Sequence, residues 1–485
     1  MDNLAVVKFG GSSLVDPEDV ARIAGIMGDP AVLGDNQYRR GVIVVSAPGI
    51  PPGYKSDDSL GKKVTDMLKS LARECVNEQS SSPSDRTLFA DVLHRFKRLS
   101  SSRGSDSMDL EDIDGWDLPA TLEERLHEIP SAEENTASYF ARVMAFGEEA
   151  SARIIAVMNG FQFVDAADLF VLEGENFLQA DVNREETYRR IQELNLRDRS
   201  IIIPGFYGRH TSGGIAIMGR GASDTTAAHI AAALHAGIYE NFTDRVGVFA
   251  ADPRLVPGAH VIPRLTYEEM RYLSYTGATI LDAKAIEPGM GARVPIHIRS
   301  TFQYPEQGTV VTSIRSSDPE HPVVGVSYKG GLHYFRVKFI GLDDIDGILE
   351  RLAATIRGCG YTIHHTTTGV DEVGYAAVPK TDQDRSNDAY TAIFGLLPSP
   401  AVPYDGDDVV KFIGDVGILT LVGKDMVDDV TMSPQITRVL QEAGVGRVFS
   451  TRPDSRTHYL YGIHGINAER ALQVVYDFCC RRESS

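Results

Sequence analysis

Cysteine is scarce in this chain: Cys75, Cys359, Cys479 and Cys480 are the only four in 485 residues. They lack the spacing of metal ligands and are too few for a disulfide framework, so they read as reduced thiols. Long apolar runs are missing as well. No stretch approaches the roughly 18 consecutive apolar residues that a membrane span requires, and the N-terminus lacks the basic-then-apolar order of a signal peptide. The expectation is a soluble, cytoplasmic protein with no membrane partner. Positive charge is in deficit, with 48 Lys and Arg against 67 Asp and Glu and a formal net charge of −19. Such a surface repels polyanions and argues against a nucleic-acid partner. An anionic small substrate then needs cations and backbone N–H groups concentrated in one place.

What is present is a regular alternation of apolar strands and helical patterns. "LAVVKF" reads as a buried strand, "GGSSL" as a turn, and "DPEDVARIAGIM" as an amphipathic helix with Asp16 as N-cap and Pro17 at its first position. "GVIVVSAPG" is a second strand running into a glycine loop, and "FQFVDAADLFV", "SIIIPGFYG" and "GIAIMG" follow, with "DTTAAHIAAALHAG" as an intervening helix. This order predicts a parallel-rich α/β sheet whose ligands bind beyond the carboxyl ends of the strands. Residues 78 to 120 interrupt it with polar and acidic stretches around one helical piece, "RTLFADVLHRFKRL". They read as a partly mobile helical insertion, spanning about 53–135, and serve equally well as a lid or as a tolerated surface excursion. After about residue 320 the order β-α-β-β-α occurs twice. That is the pattern of paired small α+β modules, with regulation or plain dimerisation as their use. The expected boundaries are 1–318, 319–402 and 403–485.

Four clusters carry chemistry. In "VVKFGGSSL", Gly10 and Gly11 allow close backbone approach to a ligand, while Lys8 brings a mobile charge to the same strand end. This suits triphosphate without being a Walker loop; an ordinary turn beside a snorkelling lysine is the other reading. In "MGRGASDTTAAH", Arg220 lies between two glycines, and Ser223, Asp224 and Thr225 are placed to cap the next helix, which makes an anion site. In "FTDRVGVFAADPR", a strand end delivers Thr243 and Asp244, and Asp252 and Arg254 return after a short apolar segment. A purine pocket with Phe249 as wall and Arg254 toward phosphate is one reading, and turn chemistry is the other. In "FGEEASA", Glu148 is either an acceptor for a substrate ammonium or a solvated helix charge.

Taken in order, "KFGGSS", "VVSAPG", "FGEEASA", "GFYG", "GRGASDTTAA" and "TDRVGVFAADPR", followed by two modules similar to ACT domains, resemble the amino acid kinase family, and within it the aspartokinases. The resemblance covers nearly the whole chain. It implies a three-layer αβα sandwich followed by two ferredoxin-like ACT modules. It also implies transfer of the ATP γ-phosphoryl group to the β-carboxylate of L-aspartate for the lysine, threonine and methionine pathways. Lys8 and Asp224 become the catalytic pair. Lys8, Gly10, Gly11, Ser12, Thr243, Asp244, Phe249 and Arg254 fall on the nucleotide side. Ser46, Thr65, Glu148, Arg220, Gly221 and Ser223 fall on the acceptor side. Mg²⁺ is inferred from ATP chemistry, since no dedicated carboxylate cage is visible.

The sequence departs from that family at three places. The glycine loop runs on through "IPPGYKSDDSLG" before "VTDML", so that Thr65 takes the place of the substrate threonine. Where many members carry Gly-Ala-Lys-Val-Leu-His-Pro, this chain has Thr279 for the lysine and Asp282 for the histidine, and Lys284 is out of register. The modules keep Asp343, Asp344, Asp346, Thr368 and Asp371 as candidate contacts for a lysine or threonine effector, although acidic N-caps explain the aspartates at the helix start equally well, and "STRPDSRTHY" replaces a usual effector segment. Weak or unusual feedback is expected, with assembly as a homodimer or higher through the modules. Two rivals stand: a kinase for a different acid, and a weakly catalytic amino-acid sensor.

Overall fold

The computed structural model describes residues 3–481 except 52, 54–60, 79–81, 102–107, 130–135, 195, 197–199, 220, 278–280, 319, 339–344, 370, 382–385, 398–408, 427–430 and 452–456. In chain order the elements are β1 (Leu4–Phe9), α1 (Pro17–Gly28), β2 (Ala31–Leu33), β3 (Asn36–Val45), α2 (Val64–Asn77), α3 (Thr87–Ser100), α4 (Leu118–His127), α5 (Thr136–Asn159), β4 (Gln162–Phe163), α6 (Ala166–Leu169), β5 (Val171–Glu173), β6 (Asp181–Val182) and α7 (Arg184–Gln192). They continue with β7 (Ile201–Pro204), β8 (Tyr207–His210), β9 (Ile215–Ile217), α8 (Ala222–Ala233), β10 (Ile238–Thr243), β11 (Arg264–Thr266), α9 (Tyr267–Tyr275), α10 (Ala283–Ala292), β12 (Ile296–Ser300) and β13 (Thr309–Thr312). The last third holds β14 (Gly325–Lys338), α11 (Ile345–Gly358), β15 (Tyr361–Thr368), β16 (Glu372–Pro379), α12 (Ser386–Gly395), β17 (Val410–Val422), α13 (Met432–Glu442), β18 (Arg447–Thr451), β19 (His458–His464) and α14 (Ala468–Cys479).

Two structural units result. The first comprises Met1–Val248, Val261–Met270 and Ile280–Arg315, and the second Phe249–His260, Arg271–Thr279 and Ser316–Ser485. In the first, the main sheet runs β11-β13-β12-β10-β1-β3-β7-β4, with β2 beside β3. β1 lies between β10 and β3 and is parallel to both. Because side chains alternate across a strand, Val7 and Phe9 enter one core with α1, α2, α3 and α5, whereas Lys8 faces the side of the sheet where α8 packs. The result is the parallel-rich α/β sheet that the alternation of elements predicts.

Asp16 caps α1 as expected, accepting from the N–H groups of Glu18 and Asp19, with Pro17 first in the helix. The insertion differs from a surface excursion. Phe89, Val92, Phe96 and Leu99 of α3 and Leu118, Leu122 and Leu126 of α4 share one core with β1 and β3. Their spacing of three and four residues lays a single apolar stripe against α5, and burial of that stripe holds the helices in place.

The second unit repeats the predicted order, β14-α11-β15-β16-α12 and then β17-α13-β18-β19-α14. Its six strands form a single sheet, β15-β16-β14-β17-β19-β18, joined by the antiparallel β14–β17 pair. α11 and α12 cover β14 and β16 through Phe335, Ile348, Leu352, Tyr375 and Ile393. Among the described residues no helix is long and apolar enough to cross a membrane.

Candidate active site

The first unit carries a cleft of about 720 Å³ at the carboxyl ends of β1, β3 and β10. Sequence reasoning points to this position in a parallel sheet. Lys8, Gly10, Gly11, Ser12, Ser46 and Thr65 all line it, as do Glu148, Gly221, Ser223, Asp224 and Thr243. Eleven of the residues singled out in the sequence thus meet in one place, although they come from positions 8 to 243.

Two loops meet at its floor. The N–H of Gly49 donates to the Gly11 carbonyl at 2.7 Å. A Cβ on Gly11 would lie 2.6 Å from the Ala47 carbonyl oxygen, and one on Gly49 would lie 2.4 Å from Gly11 O, so neither site admits a side chain without moving backbone. Beside this contact the Lys8 ammonium stands 2.6 Å from Asp224 Oδ1, with both side chains largely buried. One carboxylate holds one cation at a strand end, facing a space large enough for a ligand.

Glu148 forms the opposite kind of feature. It sits on α5, is 5 % exposed, and its Oε2 has no hydrogen-bond partner. Burial pushes its carboxyl up to about 8, against the lowering effect of a backbone hydrogen bond with Ala47. The solvated-charge reading of this residue is therefore incorrect. An apolar helix face carries the acid inward, into the cleft.

Ser223 and Asp224 are not caps. α8 starts at Ala222, with Gly221 as its N-cap at φ +77° and no side-chain cap, which places Ser223 and Asp224 within the first turn. The glycine's left-handed backbone sets the helix start two residues earlier than a Ser223 cap would and three earlier than an Asp224 cap would, and frees the Asp224 carboxylate for Lys8. Gly205 makes room for this turn, since a Cβ there would lie 2.6 Å from Ser223 Cβ.

Other predicted residues fall elsewhere. Asp244 follows the end of β10 and accepts from the Thr243 hydroxyl at 3.0 Å. Phe249 and Arg254 belong to the second unit, where Arg254 forks onto Asp252 at 3.0 and 2.6 Å. Arg220, Thr279, Asp343 and Asp344 lie outside the described residues, as does the side chain of Asp346. Thr368 ends β15 and Asp371 follows it, both exposed. Asp282, which replaces the family's histidine, caps α10 by accepting from the Lys284 N–H at 2.8 Å, and the Lys284 ammonium faces Asp181 at the surface. The substitution is thus a helix cap by chemistry.

Sequence reasoning missed Lys63, Asp66 and Lys69 of the α2 end, and Asn176 and Gln179 from the loop after β5, all of which line the cleft. It also missed Asn241, which touches both Lys8 and Asp224. The signal available for Asn241 was the pair of polar residues in the otherwise apolar strand "IYENFT".

The sequence profile of the Amino acid kinase family matches residues 3–300. Aspartokinase 3 of Bacillus subtilis is 28 % identical over 481 residues, which is 98 % of this chain and 98 % of that protein. Among solved structures, aspartate kinase from Clostridium acetobutylicum superposes with a TM-score of 0.78 at 23 % identity, covering 98 % of this chain and all of that one. Aspartokinase III from E. coli, solved with aspartate and ADP, gives a TM-score of 0.72 at 19 % identity over 98 % and 99 % of the two chains. These structures share the fold across both units. By the match over residues 3–300, the chain belongs to the amino acid kinase family.

Proposed function

We propose that the chain is an aspartate kinase, which transfers the γ-phosphoryl group of ATP to the β-carboxylate of L-aspartate and yields ADP and 4-phospho-L-aspartate. The observation that carries this reading is the placement in one cleft of the Lys8–Asp224 pair and the Glu148 carboxyl, whose Oε2 has no hydrogen-bond partner. The first offers a fixed cation to phosphate; the second offers an acceptor to an ammonium. Transfer from a polyphosphate to a free amino acid uses both, the cation at the donor and the carboxylate at the acceptor's ammonium. Phosphoryl transfer asks of the protein mainly positioning and charge stabilisation.

In this reading Lys8 meets the charge that develops on the transferring phosphoryl group, Asp224 holds Lys8, and Gly10, Gly11 and Ser12 cradle phosphate. Glu148 takes the α-ammonium, and Arg220 the α-carboxylate through its bidentate fork, with Ser46, Thr65, Gly221 and Ser223 beside them. Thr243, Asp244, Phe249 and Arg254 are assigned to the nucleotide on sequence order alone. Among the described residues no three His, Cys, Asp or Glu side chains converge as a metal site, so we assign Mg²⁺ to the phosphates of ATP, where it neutralises charge. Residues 1–318 form the catalytic part, and 319–402 and 403–485 form paired regulatory modules that assemble a homodimer and bind lysine or threonine through Asp343, Asp346, Thr368 and Asp371.

The test is a hydroxylamine-trapping assay with ATP and Mg²⁺, comparing L-aspartate, L-glutamate and N-acetylglutamate. Turnover is expected with aspartate alone, with loss of at least about a hundredfold in Lys8→Ala. Turnover with another of these acids would redirect the reading to that acceptor, and none with any of them would favour a different acid substrate or a sensor.

A further inference from the structure

The Lys8–Asp224 pair is held by a third side chain that no motif marks. In the parallel β1–β10 ladder Lys8 is in register with Asn241, so the two side chains leave the sheet on the same face, toward α8. The Asn241 amide is 1 % exposed and spans the ion pair. Its Nδ2 donates to Asp224 Oδ1 at 3.1 Å, and its Oδ1 accepts from the Lys8 ammonium at 3.5 Å. Two residues earlier on the same strand face, the Tyr239 hydroxyl donates to the backbone oxygen of Asp224 at 3.3 Å. β10 thereby fixes Asp224 twice, once by its main chain and once by its carboxylate.

We infer that Asn241 is a positioning residue for phosphoryl transfer: its amide locks the Asp224 carboxylate against Lys8 while leaving the net charge of the cluster unchanged. The inference rests on the aspartate kinase reading for its kinetics, but not for its effect on nucleotide. Charge explains the choice of an amide. Asp224 already balances the Lys8 ammonium, and a second carboxylate at 241 would leave the cluster net negative beside phosphate. An aliphatic side chain of the same size would leave Asp224 Oδ1 with Lys8 alone and free the ammonium to follow several rotamers.

The experiment compares Asn241→Leu and Asn241→Asp with the unsubstituted protein, in the trapping assay and in the binding of a non-hydrolysable ATP analogue. Asn241→Leu is expected to lower kcat by about ten- to a hundredfold and to leave the KM for aspartate within about twofold. That split distinguishes positioning from a loosened fold, which would lower the amount of active protein and its melting temperature together. Asn241→Asp, nearly isosteric, is expected to weaken analogue binding about tenfold or more. A folded Asn241→Leu with unchanged kcat would overturn the inference. If the Leu variant does not fold, unchanged analogue binding and unchanged kcat in Asn241→Asp would do so. Should the unsubstituted protein fail to turn over aspartate, the aspartate kinase reading falls, while analogue binding in Asn241→Asp still decides the role of Asn241.

Discussion

Glu148 shows how far one residue can link burial to chemistry. Its carboxyl is pushed up to about 8 by desolvation, so at neutral pH the ligand-free protein holds it protonated. The folded value lies above the unfolded one. The folded state therefore binds the extra proton between about 4.5 and 8, and the protein loses stability as pH rises through that window, at about 1.4 kcal/mol per unit. A substrate ammonium reverses the balance, because it favours the carboxylate and expels the proton. The KM for aspartate is therefore expected to fall as pH rises from 6 to 8 and to level off above 8. In Glu148→Gln, KM should be raised at least about tenfold and this slope should vanish, while the unliganded protein gains stability at pH 8. A Gln variant with an unchanged pH profile of KM would remove Glu148 from the acceptor site.

At the scale of elements, β10 carries two functions back to back. Asn241 faces α8, while Glu240 points to the other side, fully buried, with the Arg40 guanidinium at 2.9 Å and Arg299 at 3.2 Å. This network ties β3, β10 and β12 together. Removing the acid leaves two buried guanidinium groups facing each other, so Glu240→Leu is expected to cost about 3–5 kcal/mol in chemical denaturation. A loss below about 1 kcal/mol would show that water or rearrangement compensates. None of this network is legible in the sequence, since Arg40 and Glu240 are 200 positions apart and pair only after the ladder has formed. The loops are legible for the opposite reason. "KFGGSS" and "VVSAPG" each place a strand end, glycines and polar groups within a few residues, so local order already describes the local site. The start of α8 was misread because Ser and Asp are strong caps, and the competing signal, a left-handed glycine one residue before the helix, is visible only in the backbone. The α2 wall, with Lys63 and Lys69, was missed because helix phase relative to a distant strand is a tertiary property.

On the scale of the whole molecule, the second unit bears the proposed effector response and part of the response to acid. The changed "STRPDSRTHY" segment predicts weak feedback, so lysine or threonine at millimolar concentration is expected to reduce turnover by less than about twofold; strong inhibition by either would contradict this. Two histidines of the same unit contribute to the acid response, alongside His229 of the first unit, which burial also pushes down, to about 3. The His364 ring packs at a tilt against Tyr275, with centroids 4.3 Å apart, and His458 likewise against Tyr272 at 3.7 Å. Burial pushes both imidazoles down to about 4, with Lys329 adding to the shift at His364 and His365 at His458. Both folded values lie below the ordinary 6.5, so the neutral rings cost nothing above that pH. As pH falls from about 6.5 to 4, the unfolded chain takes up protons that the folded unit refuses, and stability declines; below about 4 both states are protonated and this contribution levels off. Each histidine draws off less than the roughly 1.4 kcal/mol per pH unit of a fully buried group, because solvent screens these partly exposed rings. Below pH 6.5 this contribution runs against that of Glu148, so it is read as the difference in stability between the unsubstituted protein and a variant lacking both imidazoles. The double substitution His364→Gln, His458→Gln should flatten that decline between pH 6.5 and 4 without altering stability above pH 7.5 in a pH-dependent way. An unchanged slope in the double variant would mean that groups other than these two imidazoles set the acid limit of the molecule.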